Sequence, residues 1–82
     1  MATPSSHAND AAALLAAATA FGDDASLRRN AQLAGVYAVL AGKAGTGSNY
    51  TSAETELATC TTAPWSFGSS IERARAFALL AT

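Results

Sequence analysis

"DDASLRRNAQLAGVYAVLAG", residues 23–42, carries its own start and stop signals. Asp23 and Asp24 are good caps, with the charge that a helix N-terminus favours. Gly42 suits the exit of the chain from a helix. The spacing predicts a helix over about 25–41. Leu27, Ala31, Ala34, Ala38 and Ala41 fall on one strip, and Leu33, Tyr37 and Leu40 on the next. Val36 and Val39 lie on the opposite side, which leaves Arg28, Arg29 and Gln32 as the clearly polar patch. A helix apolar nearly all round is expected to be buried nearly all round. Three neighbours in an 82-residue chain cannot easily provide that cover.

On the N-terminal side, "MATPSSHA" (1–8) reads as a polar extended tail. Asn9 or Asp10 then caps a first helix over about 10–21, with Leu14, Ala18 and Phe21 on one face and Gly22 closing it in the left-handed conformation. On the C-terminal side, "GKAGTGSN" (42–49) opens a glycine-rich linker assigned to 42–50. Thr51-Ser52-Ala53-Glu54 reads as a capping box for a third helix, which Pro64 ends at or before Ala63. A second box, Ser69-Ser70-Ile71-Glu72, opens a fourth helix over about 70–81. Ile71, Ala74, Phe77, Ala78 and Ala81 share one face of it, with Leu79 and Leu80 outside that face. The expected fold is all-α, a single small domain over 1–82. "AFGDDAS" (20–26) and "SFGSSIE" (66–72) look like one device used twice, so the four helices read as two helix–elbow–helix units joined by the linker.

Half of the residues are hydrophobic, but 22 of those 41 are alanine and only 17 are Val, Leu, Ile, Phe, Tyr or Trp. Alanine favours helix and removes little apolar surface from water, so the isolated core is expected to be thin. Chains of this size usually need a disulfide, a metal or a partner. Cys60 is the one cysteine and reads as an inert packing thiol. His7 is the one histidine, placed in the polar tail, and no Cys/His spacing suits a metal. A partner remains. Net charge is −1, and Arg28, Arg29, Lys43, Arg73 and Arg75 form no basic stripe, which argues against nucleic acid and against an anionic membrane surface. "AAALLAAATA" (11–20) resembles a signal-peptide core, but its N-terminal flank has no Lys or Arg and carries Asp10. Asn49-Tyr50-Thr51 fits the glycosylation sequon, which has no meaning without secretion.

Catalytic chemistry finds little to work with. "GKAGTGS" has phosphate-loop residues in the wrong order, because Lys43 precedes the loop and no strand leads into it. A Cys60–His7 pair would need a base held in fixed geometry, which a tail cannot provide. Glu54 and Glu56 point to different sides of their helix, and Asp23 and Asp24 are explained by capping. Neither an enzyme, a cofactor nor a small-molecule substrate is expected. Attention falls instead on "TAPWSFGSS" (62–70), which holds the one tryptophan. Trp65 follows Pro64 on a stiff loop, either as a lid over the ends of the hairpins or as an anchor in a partner. With it, Phe67, Val36, Val39, Leu79 and Leu80 are the candidate interface residues. Leu79 and Leu80 occupy a last turn where a solitary protein is expected to be polar.

The pattern "ALLAAATAF…LRRNAQLAGVYAVLAGK", residues 13–43, resembles small proteins encoded among the structural genes of tailed bacteriophages. Those carry a Leu-Leu-Ala-rich helix, a break with an aromatic, then a Gln-containing aliphatic helix ending in Ala-Gly. They often have a cysteine near the first break, where this chain has Ala20-Phe21. The resemblance implies a virion component and carries over no functional residue. The expectation is a non-enzymatic structural or adaptor subunit of a larger protein assembly, located in the virion, with other subunits or copies of itself as partners. The alternative is a cytoplasmic helical binding module or small regulator that homodimerises.

Overall fold

The computed structural model describes residues 3–82. Four α-helices follow one another: α1 over Pro4–Ala18, α2 over Asp24–Ala41, α3 over Ser48–Thr62 and α4 over Phe67–Leu80. A 3-10 turn, Pro64–Ser66, leads into α4. The fold class is all-α. Helix α2 starts and ends where its sequence signals place it. Asp23 Oδ1 accepts from the Ser26 backbone N–H at 2.9 Å, and Oδ2 accepts from the Ser26 hydroxyl at 2.9 Å. These bonds favour the ionised carboxyl and hold the pKa of Asp23 below its ordinary value.

The segment expected as an extended tail is helical from Pro4 onward. Thr3 is the cap: its Oγ1 accepts from the Ser6 N–H, and its carbonyl accepts from the Ser6 hydroxyl, both at 3.1 Å. Pro4 takes the first helical position, where its missing N–H removes no bond. Met1 and Ala2 lie outside the described residues. Helix α1 also ends early. The N–H groups of Thr19 and Ala20 bond back to the Ala16 and Ala17 carbonyls, which tightens the last turn. Phe21 therefore lies beyond the helix, fully exposed and off the face of Leu14 and Ala18. Gly22 does not take a positive φ; Gly45 and Gly47 do, at 87° and 97°.

Both predicted capping boxes are displaced. Helix α3 begins at Ser48, and the Thr51 hydroxyl donates to the Gly47 carbonyl at 3.1 Å instead of capping. The physical reason is Tyr50, completely buried, which is held on the core only if the helix includes it. The linker is correspondingly shorter than 42–50 and is tied down. The Ala44 N–H donates to the Thr82 carbonyl at 2.9 Å, and Gly45 lies against Pro4. Pro64 ends α3 as expected, but the turn it starts runs straight into α4 at Phe67. Ser70 is thus inside the helix and completely buried, with its Oγ 3.1 Å from Ser66 Oγ.

Helix α1 packs on α2, α3 packs on α4, and α2 crosses α4. The core consists of Val36 and Leu40 from α2, Tyr50, Ala53, Leu57 and Cys60 from α3, and Ile71, Ala74, Ala78 and the following Ala81 from α4. The alanines let the helices approach closely, so few large side chains fill the interior. Val36, expected on an outer face, is a core residue because α4 covers that side of α2. Val39 is half-buried and packs against the same core. The expectation that α2 is buried nearly all round fails on its other side, where Ala31, Gly35 and Ala38 are exposed.

Candidate interaction surface

Among the described residues five large apolar side chains are exposed: Leu15, Phe21, Trp65, Leu79 and Leu80. Five are buried in the core among the described residues: Val36, Leu40, Tyr50, Leu57 and Ile71. An equal division is unusual for a chain so short of bulk, since single exposed leucines need no explanation but this proportion does. Trp65 is 86% exposed on the Pro64–Ser66 turn, so the lid reading is excluded. Its neighbour Phe67 is half-buried against the core, with the Arg29 guanidinium 5.7 Å from its ring centroid. Phe21 and Phe67 therefore do not play matching parts at two similar elbows. Leu79 and Leu80 are exposed at the end of α4, as their register predicted.

Two grooves flank α2. One, about 280 Å³, lies against α1 and is lined by Ala11, Leu15, Ala31 and Ala38 among others. The second, about 540 Å³, lies against α4, with Gln32, Ile71, Glu72, Arg75 and Leu79 among its walls. Gly35 lines both. A glycine inside a helix costs about 0.5–1 kcal/mol relative to alanine, and a Cβ built at Gly35 meets nothing within 4 Å. Packing inside the chain does not require this glycine. A glycine within an otherwise helical pattern was the available signal for this surface.

A second constellation was missed because it involves the presumed tail. His7 is 3% exposed and sits between Tyr37 and Tyr50, at ring-centroid distances of 5.2 and 5.7 Å. Its Nε2–H donates to Glu54 Oε2 at 3.1 Å, which joins the first turns of α1 to α3. Its Nδ1 is buried and has no hydrogen-bond partner among the described residues. Burial, then nearby acidic and thiol groups beginning with Asp10, raises the pKa of Tyr37. Burial, then Glu54, raises that of Tyr50. Burial, then Glu56, pushes the Cys60 thiol up as well. In all three, burial favours the neutral form. Glu56 itself accepts from Arg73 Nε at 2.7 Å across the α3–α4 contact.

Among the described residues no group of three His, Cys, Asp or Glu side chains is placed to hold a metal ion. No helix among them is long and apolar enough to cross a membrane. No family model, curated protein or solved structure matches the chain.

Proposed function

We propose that this chain is a non-enzymatic structural or adaptor subunit that works by association with other proteins, and that a bacteriophage particle is its setting. Trp65 carries the reading. The largest side chain of the protein stands in solvent on a turn held by Pro64 and by the Ser66 N–H and hydroxyl bonds to the Ala63 carbonyl, both 2.9 Å. Tryptophan on a stiff support is a common hot-spot residue, because little side-chain freedom is lost on binding. The raised thiol of Cys60 supports the non-enzymatic part, since reactive cysteines are shifted the other way. The virion setting rests on the resemblance over residues 13–43.

The test is co-expression with the products of the neighbouring genes, followed by gradient sedimentation. The parent chain is expected to travel with a large particle, and Trp65→Ala to be absent from it while keeping its helical circular dichroism. Sedimentation only as a small oligomer, with or without Trp65, would support the cytoplasmic homodimerising module instead.

A further inference from the structure

We infer that the open α1–α2–α4 face binds a second copy of this chain across a two-fold axis passing beside Gly35, so that the building unit of the assembly is a homodimer. This surface is separate from the Trp65 turn and does not depend on what Trp65 binds. Three observations converge on it. Gly35 has no neighbour that needs it inside the chain, yet it lies at the junction of the two grooves, where it permits a helix from outside to approach closely. Ala31 and Ala38 continue that low strip along α2, while Leu15 and Leu79 stand exposed on either side as knobs.

The third observation is a pair of charges that a copy of this chain would complement. Glu72 and Arg75 border the α2–α4 groove, one of each sign, three residues apart on α4. Both are exposed, and neither enters an ion pair or hydrogen bond among the described residues. A surface of one sign would match one of them and repel the other. An antiparallel copy places Glu72 opposite Arg75 twice by symmetry, which is the self-complementarity an isologous interface requires.

Sedimentation equilibrium of the purified chain, without any other protein, is the test. The parent is expected at twice the 8.2 kDa chain mass. Gly35→Leu points a bulky, helix-favouring side chain into open space, so it should remain helical and sediment as a monomer. Glu72→Arg should weaken dimerisation about tenfold through like-charge contact with Arg75 of the other copy. Adding Arg75→Glu to it should restore the dimer, an outcome that a fold defect or a foreign partner would not produce. A monomeric parent, a dimeric Gly35→Leu variant, or a double charge reversal that stays as weak as Glu72→Arg would overturn the inference. Trp65→Ala should leave the dimer intact. Its loss in that variant would move the contact to the turn and sink this inference, while the subunit reading under test by particle sedimentation would still stand.

Discussion

His7 shows how much one side chain can hold in a molecule with a thin core. Its ring fills the space between Tyr37 and Tyr50, and its bond to Glu54 is a polar link between α1 and α3. Truncation to alanine would leave a void between two tyrosines and remove the Glu54 contact. His7→Ala is expected to lower stability by about 2–3 kcal/mol, against a whole-chain stability of about 4–12 kcal/mol at typical values per residue. Denaturant unfolding checks this, and hydrogen exchange should show the first turns of α1 losing protection before the rest. A midpoint equal to the parent's would mean that the His7 contact does not hold α1 in place. None of this was legible in "MATPSSHA", because Thr-Pro-Ser-Ser is as good a coil as it is a helix start. Only the burial of His7, a long-range fact, separates the two.

At the scale of elements, the ends of α2 were readable to within a residue, because adjacent Asp23 and Asp24 both signal its start and Gly42 its end. The core face of α4 was equally readable, since Ile71, Ala74, Ala78 and Ala81 recur at helical spacing and are all buried. The starts of α3 and α4 were not. Ser48 and Phe67 are weak openers beside the capping boxes that begin at Thr51 and Ser69, but burying Tyr50 and continuing the Pro64 turn outweigh a cap. The connection between α2 and α3 looked slack for the same local reason. Its fit shows only in the fold, where Gly45 combines φ of 87° with a Cβ position 2.9 Å from Pro4 Cδ. Gly45→Ala is therefore expected to destabilise by about 2 kcal/mol or more, the left-handed cost plus displacement of Pro4. Gly47→Ala, at φ 97° and ψ 164° with open space around it, should lose only the conformational part, about 1–3 kcal/mol. Thermal unfolding checks both variants, and a Gly45→Ala protein as stable as the parent would show that neither the backbone conformation nor the Pro4 contact has weight.

Among the described residues, as many large apolar side chains are exposed as are fully buried. The alanine-rich composition foretold that thin interior, but which large residues would be left outside was not decidable from spacing. Val36 looked available and is buried, whereas Trp65 looked suited to cover the hairpin ends and does not. Trp65 stands in solvent, outside the core of the isolated fold, and in the proposed function it is the contact with a protein partner. Because the sequence has one tryptophan, fluorescence reports on that side chain without ambiguity. The purified chain is predicted to emit like a water-exposed indole and to be quenched freely by iodide; on incorporation into a particle, the emission should move to shorter wavelength and become protected. Short-wavelength, protected emission from the isolated chain, or free quenching inside the particle, would contradict the account.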